Sequence, residues 1–263
     1  MLCLRKCCIV IFGVLMINGL SGCAYQEQTE SEQGEKGQEE KLILRDLAFD
    51  RDGDGEYKIE IDENGTPETY LVLTDDYNGN CLLLREYLLD EPMPYHHAGL
   101  YCAYYEDSDI DHYLNGEFLE RFSEEFQERI EESTIVITAK ESMRFGGDVT
   151  TAVDRKVFFL SYTEVGYRGR IYLEEGEPLS YFNSLSSRIA YYKDGKAGGW
   201  WLRTPSTADH NAVSGISRRG GEGVSGVVGP PPIGPYKGGV RPAFCLKGDI
   251  PVMKQDDHYI LAE

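Results

Sequence analysis

A segment rich in glycine and proline does most to limit what this chain can fold into. Residues 204–239 contain 9 Gly and 5 Pro, so 14 of these 36 positions interrupt regular backbone structure. The composition therefore predicts a long loop. A loop of this length within a folded domain is typically either functional or disordered. We expect this segment to carry much of the recognition surface of the chain.

Apolar runs on both sides of this loop predict the regular elements. Strands are expected at 70–73, 81–84, 157–161, 200–203 and 239–246. The first two runs should pair as a hairpin about the polar turn that separates them. A pair of amphipathic helices is expected over 108–130, where a Ser-x-x-Asp capping box begins at Ser108. This order predicts a single α+β domain over 42–250, with a mixed or antiparallel sheet and packed helices, followed by a polar tail at 251–263.

An acidic turn near the start of this domain matches part of a calcium-binding loop. Asp50, Asp52 and Asp54 occupy positions one, three and five of an EF-hand-like loop, and a Gly follows at position six. Position twelve, where a Glu is expected, is Ile61. A simple Asp/Gly turn between two strands within 42–61 explains the same residues. The sequence leaves both interpretations open, and Ca²⁺ is the one cofactor it suggests.

The first 41 residues carry a targeting pattern. Two basic residues precede an apolar run at 8–20, which is too short to cross a bilayer and fits a signal peptide. The run ends in Leu-Ser-Gly-Cys at 20–23, which resembles the lipobox of bacterial lipoproteins. That resemblance implies a signal peptide at 1–22 and a diacylglycerol on the thiol of Cys23. Residues 23–41 would then be a flexible acidic tether outside the cytoplasm, with its lipid in the cell membrane.

The charge balance limits the partners. The chain has 45 acidic residues against 26 Lys and Arg, which gives a formal net charge of −19 at pH 7. Nucleic acids and anionic lipid head groups are polyanions, so the sequence disfavours both. Cations, cationic peptides and neutral sugars remain compatible with this charge.

Three cysteines belong to the predicted domain. They are Cys81, Cys102 and Cys245, an odd number at wide spacing. No Cys-x-x-Cys pair occurs, so the sequence does not support a zinc ribbon or a thioredoxin-like site. One disulfide with one free thiol and three buried thiols are both compatible with this pattern.

Four blocks of residues, taken in order, resemble a known family. The blocks are YEDSDI at 105–110 leading into YLNGEFL at 113–119, DRKVFFLS at 154–161, WWLRTP at 200–205, and GVRPAF at 239–244. Together they resemble the bacterial family catalogued as domain of unknown function 6273, over roughly 71–246. More distantly, the Trp-rich strand and the closing Gly-x-Arg strand are similar to the C-type-lectin-like fold shared with formylglycine-generating enzymes.

The lectin-like resemblance carries over no functional site. Calcium-dependent sugar sites in that fold use Glu-Pro-Asn or Gln-Pro-Asp with a Trp-Asn-Asp block, whereas this chain has Glu-Pro-Met at 91–93. Formylglycine-generating enzymes use two active-site cysteines, and only one cysteine follows Cys102. We therefore predict no catalytic residue. His96 and His97 lie in a predicted loop with no acidic residue at a zinc-like spacing, so they are expected to be surface residues.

The residues of the last two blocks suit a structural role. Trp200 and Trp201 are neighbours in a predicted strand, so their rings should lie on opposite faces of the sheet. Arg203 and Arg241 lie in or beside strands. They can hold loops through carbonyl or carboxylate acceptors, or they can capture an anion, and we favour the structural role.

The sequence predicts a non-catalytic ligand-binding domain at the cell surface. The expected contacts in the Gly/Pro-rich loop are Arg218, Arg219, Tyr236 and Lys237. Tyr and Arg provide a large contact area at low entropic cost. A positive spot on an acidic chain predicts an acidic or carboxylate-bearing ligand, which can be a surface glycan, a small molecule or a protein.

Two other functions fit the same sequence. An enzyme that acts on cell-wall or glycan substrates would use carboxylates among Asp107, Asp109 and Asp111, although helix capping already explains these residues. An assembly protein whose loop binds another surface protein is the second alternative.

Overall fold

β-Strands dominate the computed structural model of the protein, which describes residues 42–52, 57–143, 146–227, 236–256 and 258–262. Strands make up 39% of the structure and helices 18%. The predicted α+β class with packed helices is therefore wrong, since the protein is mainly β. The predicted signal peptide, Cys23, the tether at 23–41 and Asp54 lie outside the described residues. Within those residues, no helix is long and apolar enough to span a membrane.

The regular elements are numbered here in chain order. The strands are β1 (Lys58–Glu63), β2 (Thr66–Tyr77), β3 (Asn80–Arg85), β4 (Met93–Pro94), β5 (Ile130–Glu131), β6 (Ser133–Thr138), β7 (Thr150–Arg155), β8 (Val157–Phe158), β9 (Ala190–Tyr191), β10 (Ala197–Gly198), β11 (Trp200–Pro205), β12 (Ala212–Ile216), β13 (Glu222–Gly226), β14 (Lys237–Gly238), β15 (Ala243–Leu246), β16 (Val252–Gln255) and β17 (His258–Leu261). The α-helices are α1 (Phe49–Asp52), α2 (Asp109–Tyr113), α3 (Glu124–Arg129) and α4 (Leu185–Arg188). Single 3₁₀ or π turns cover Leu44–Leu47, Leu114–Phe118, Leu119–Arg121, Lys140–Met143 and Ser180–Phe182.

One large sheet forms the body of the domain. Its strand order is β16-β17-β1-β2-β3-β15, and β5 and β8 both pair with β15. The β1–β17 pair is parallel and the others are antiparallel. The predicted β2–β3 hairpin is confirmed, with Val72 opposite Leu83. Its turn contains Asn78 and Gly79, which have φ of 55° and 83°, because tight hairpins need left-handed residues at these positions.

A smaller antiparallel sheet, β11-β12-β13, lies beside the large one in the fold. The predicted strand at Trp200 is confirmed as the start of β11. Strands β11, β12 and β15 are buried at every position. Because successive side chains alternate between the faces of a strand, other elements must cover both faces of these strands. The described core therefore continues from the large sheet into the small one.

The predicted helix pair over 108–130 is much shorter than expected. Ser108 caps α2 as predicted, since its Oγ accepts from the backbone N–H of Asp111 at 3.2 Å. The side chain of Asn115, however, donates to the carbonyl of Val157 at 2.9 Å and accepts from its N–H at 3.1 Å. These bonds tie the chain to β8 and a π turn replaces regular helix there. The result is two short helices, α2 and α3, in place of a helical layer.

Both ends of the predicted domain also differ from expectation. Residues 44–47 and 49–52 are helical turns, where the sequence suggested a strand before the acidic turn. Residues 251–263, predicted to be a polar tail, contribute β16 and β17 to the large sheet. The buried side chains of Val252 and Tyr259 explain this, because they give these strands an apolar contact with the core.

All three described cysteines are free and buried. Burial raises the pKa of the Cys81 thiol to about 12 and that of the Cys245 thiol to about 12. Cys81 is opposite Leu246, while Cys245 is opposite Leu82 in the same antiparallel pair. Opposite residues share a face and successive residues alternate, so the two thiols project from opposite faces of the sheet.

A fully buried ion cluster lies where the two sheets meet. The guanidinium of Arg203 on β11 makes two hydrogen bonds of 2.7 and 2.8 Å to the carboxylate of Glu164. Its Nε lies 3.6 Å from the carboxylate of Glu175, and neither Arg203 nor these acids is accessible to solvent. Arg203 also donates to the carbonyls of Val136 and Phe159. Burial lowers the pKa of Arg203, but the two carboxylates outweigh burial and keep the guanidinium charged.

Replacing this guanidinium should destabilise the fold strongly. We expect Arg203→Met to lower the free energy of unfolding by about 3–5 kcal/mol, because it leaves two carboxylates buried without a counter-charge. Chemical denaturation of both proteins measures this difference. A buried carboxylate without a counter-charge has a raised pKa. Protonation of these carboxylates in the variant should therefore reduce the difference in free energy of unfolding from the wild type as the pH falls.

Arg218→Met is the matched control, since Arg218 is exposed. It should change the free energy of unfolding by no more than about 0.5 kcal/mol. A loss below about 1 kcal/mol in Arg203→Met would contradict the assignment of Arg203 as the essential counter-ion.

Candidate functional site

A groove, which we call the Gly/Trp groove, is lined mainly by residues of the small sheet and of β14. Its volume is about 380 Å³. Its walls come from β11, β12, β13 and β14, together with Pro92 and Tyr192 on neighbouring loops. The lining residues are Pro92, Tyr192, Gly199, Trp200, Trp201, Gly215, Ile216, Ser217, Gly223, Lys237, Gly238 and Gly239. Five of these twelve positions are glycine, so backbone forms much of the groove surface.

Close packing against the tryptophans explains two of these glycines. A Cβ on Gly238 would lie 2.6 Å from the ring of Trp201, and a Cβ on Gly215 would lie 2.8 Å from the carbonyl oxygen of Trp200. Both distances are shorter than van der Waals contact allows. Much of the glycine content of 204–239 therefore serves strand packing, which the sequence alone did not show.

The two tryptophans support the groove from below. Trp200 is 2% exposed and Trp201 is 3% exposed, so neither ring offers a face for stacking with a ligand. Trp200 donates through Nε1 to the carbonyl of Arg188, and Trp201 donates to that of Met93. These contacts are with different segments of the chain, and they fix the position of β11 beneath the groove.

One of the four predicted contact residues, Lys237, lines this groove, and the other three directly follow or precede a lining residue or its neighbour in the chain. Arg218 and Arg219 are exposed in the turn between β12 and β13, directly after Ser217, which lines the groove. Lys237 lines it from β14, and the preceding Tyr236 is 42% exposed. In the described part of the chain, no ion pair links either arginine or Lys237 to a carboxylate. The structure therefore places one cationic side chain, Lys237, in the wall of the groove, and two exposed arginines in the turn that follows the lining residue Ser217.

The turn that carries the arginines is held rigidly. Gly220 has a φ of 78°, and a Cβ there would lie 2.0 Å from the carbonyl oxygen of Leu185 on α4. The carbonyl of Gly220 also accepts a hydrogen bond of 2.8 Å from the hydroxyl of Tyr167. The turn is thus packed against α4 and presents its arginines in a fixed position.

The other predicted residues are engaged in local contacts. Asp50 lies in α1 and accepts a hydrogen bond of 2.5 Å from the hydroxyl of Thr74. The side chain of Asp52 and all of Asp54 lie outside the described residues, so the calcium loop stays a prediction. The guanidinium of Arg241 is buried, donates from Nε to the carbonyl of Arg85 and lies 5.1 Å from the ring of Trp200. Burial lowers the pKa of Arg241 to about 10.

The acidic residues of the enzyme alternative also have partners. Asp111 is buried and accepts two hydrogen bonds, of 2.9 and 3.0 Å, from Nε of Arg155. Burial raises the pKa of Asp111, although the nearby Arg155 opposes this shift. Asp107 pairs with Lys140. These contacts hold α2 and the segment before it against the core.

One cluster of side chains was missed by the sequence analysis. His96 and His97 both place Nδ1 near the carboxylate of Asp109, at 3.0 and 2.9 Å from its Oδ1. The potential ligand atoms of the three residues all lie within 4.8 Å of one another. The carbonyl of Tyr95 accepts from the backbone N–H of Ile110, and this contact brings the loop against the start of α2. No local spacing rule predicts a pairing across twelve residues of irregular chain.

Comparisons with known proteins give one match. Residues 78–248, well over half of the chain, match the sequence model of a family described as a domain of unknown function (DUF6273). No curated protein and no solved structure matches the chain. These comparisons do not confirm the predicted similarity to C-type lectins. Every residue that lines the Gly/Trp groove lies within the matched range.

A larger groove lies mainly outside the matched range. Its volume is about 940 Å³, and β1, β17 and α3 form its walls. Nine of its thirteen lining positions fall before residue 78 or after residue 248. We therefore regard the Gly/Trp groove as the functional site that the matched domain supports best.

An alanine substitution at Gly220 tests whether the turn that carries Arg218 and Arg219 packs against α4. We expect Gly220→Ala to lower the free energy of unfolding by about 2–4 kcal/mol, because a clash with Leu185 adds about 1–3 kcal/mol to the cost of a positive φ. Gly195→Ala is the matched control, since Gly195 has a φ of 83° and no atom within 4 Å of its added Cβ. The control should lose about 1 kcal/mol. Equal losses, measured by thermal denaturation, would show that the turn does not pack against α4.

Proposed function

Since this protein belongs to the DUF6273 family, we propose that it is a ligand-binding domain held outside the cytoplasm by a lipid on Cys23. The support for the location is the order of a basic start, a short apolar run and the Leu-Ser-Gly-Cys sequence at 20–23. The support for binding is the groove beside Lys237 and the arginine turn. A non-catalytic module of this kind contributes recognition at the cell surface.

The single observation that carries the proposal is the placement of unpaired cationic side chains on an otherwise acidic protein. The formal net charge is −19, yet Lys237 in the groove wall and the exposed Arg218 and Arg219 in the turn after Ser217 have no carboxylate partner among the described residues. An exposed positive spot without an internal counter-charge is available for an external anion. The preferred ligand therefore carries a carboxylate or another acidic group, as many cell-wall polymers and surface glycans do.

The groove suits an extended ligand more than a compact one. Five of its lining residues are glycines: Gly215, Gly223 and Gly238 lie in β12, β13 and β14, and Gly199 and Gly239 flank β11 and β14. Glycines without side chains let a chain approach the sheet closely, while Tyr192 and Pro92 add apolar contact. The cations at one rim would then fix the acidic group of each ligand unit.

The ligand assignment is tested with the full-length protein in mild detergent and an array of acidic glycans and cell-wall polymers. Arg218→Ala combined with Arg219→Ala should weaken binding of any acidic ligand at least tenfold, since two charge-assisted contacts are lost. Arg129→Ala combined with Lys247→Ala removes the same charge from a different groove and should leave affinity unchanged. Affinity is measured by biolayer interferometry at low and physiological salt.

Two outcomes contradict this assignment. Equal affinity of the double arginine variant and the wild type would exclude the turn as a contact surface. An array without any saturable ligand, measured on well-folded protein, would redirect the proposal to a protein partner.

The lipid anchor has its own test. Cys23→Ser should release the protein from the membrane fraction, because the thiol that would carry the diacylglycerol is missing. Cys3→Ser is the matched control, since Cys3 would leave with the signal peptide, and it should stay in the detergent phase. Phase separation and the mass of the N-terminal peptide measure the outcome. An unmodified Cys23 on mature protein would contradict the anchor.

A further inference from the structure

We propose that His96, His97 and Asp109 form a binding site for a divalent transition metal, with Zn²⁺ as the ion best matched to its ligands. This site is separate from the proposed ligand groove and does not depend on it. Two imidazoles and one carboxylate are a ligand set that zinc and its neighbours accept. The acidic turn at 50–55 contributes no residue to it.

The distances already approach those of a coordinated ion. Nδ1 of His96 and Nδ1 of His97 lie 3.0 and 2.9 Å from Oδ1 of Asp109. Zinc holds nitrogen and oxygen ligands at about 2.0–2.2 Å, so pairs of its ligands stand about 3–3.5 Å apart. The carboxylate and both imidazoles can therefore reach one ion with small side-chain rotations.

No proton lies between Nδ1 of His96 and the carboxylate oxygen of Asp109, although the two atoms are close together. The backbone N–H of Asp109 donates to Nδ1 of His96 at 3.1 Å, so that nitrogen presents a lone pair. The same nitrogen is 3.0 Å from a carboxylate oxygen of Asp109. His97 can carry a proton on Nδ1 and donate it to the carboxylate, which explains its contact. His96 cannot do so while its Nδ1 accepts from the backbone N–H of Asp109. A cation bound at Nδ1 of His96 would replace the backbone N–H of Asp109 as the partner of that lone pair and would lie between this nitrogen and the carboxylate.

The surrounding structure fixes the ligands in place before any ion binds. The backbone N–H of His97 donates to Oδ2 of Asp109 at 2.8 Å, which leaves Oδ1 directed toward the imidazoles. Tyr95, the residue before them, is fully buried, and its hydroxyl donates to the carbonyl of Arg203 at 3.3 Å. Partners that orient ligands in this way raise metal affinity, since less freedom is lost on binding.

The exposure of the cluster indicates the type of site. The side chain of His97 is 68% exposed and that of Asp109 is 45% exposed, while His96 is 13% exposed. With three protein ligands on one side, the remaining coordination positions face solvent. Such a site exchanges water or an external ligand, unlike a closed structural zinc site.

The test uses the full-length protein in detergent after dialysis against a chelator. Isothermal titration with Zn²⁺ should show one equivalent that is weakened at least tenfold in His97→Ala and in Asp109→Asn. His112→Ala is the matched control, because His112 is an exposed histidine on the same helix, and it should bind as the wild type does. His97 is mostly solvent-exposed, so its removal should not prevent folding.

Titration with Co²⁺ separates this site from the thiols of the N-terminal cysteines. Nitrogen and oxygen ligands give weak visible bands, whereas a thiolate ligand adds an intense near-ultraviolet band. The proposal predicts that the visible bands disappear in Asp109→Asn. Zn²⁺ binding of equal strength in all four proteins would overturn it, as would the absence of binding at 100-fold excess of Zn²⁺ over protein.

Discussion

The buried pairing of Arg203 with Glu164 and Glu175 is the interaction on which the rest of the structure depends. One guanidinium joins β11 to β6 through the carbonyl of Val136 and to the segment after β8 through that of Phe159. Charges this deeply buried are tolerated only when every partner is in place. The cluster therefore requires one relative arrangement of these segments and disfavours alternatives.

Strand β11 transmits that arrangement to the surface. The carbonyl of Arg203 accepts a hydrogen bond from the hydroxyl of Tyr95. Trp201 donates through Nε1 to the carbonyl of Met93, which lies two residues before Tyr95. The segment that ends in the two histidines is thus held by the same strand that forms the floor of the groove. The proposed ligand surface and the proposed metal site therefore share strand β11 as their support, although the two sites use different residues.

Sequence reasoning succeeded where the information was local. Asn-Gly at 78–79 defined a hairpin, and Ser108 defined the beginning of a helix, because both signals act over a few residues. It failed where distant residues decide the outcome. Asn115 bonds to Val157, 42 positions away, and shortens the helices, while β17 pairs with β1, which lies near the other end of the domain sequence. The His96–Asp109 contact belongs to the same class, since a loop and a helix must first be brought together by Tyr95.

The position of the thiols has a consequence for biogenesis. Cys81 and Cys245 occupy neighbouring strands, yet they project from opposite faces of the sheet and cannot reach each other. A domain of this kind, exported into an oxidising compartment, would reach its native state without any cross-link to form or to shuffle. If the domain is exported as proposed, its folding is then independent of thiol oxidants, and burial of the thiols during collapse protects them from incorrect partners.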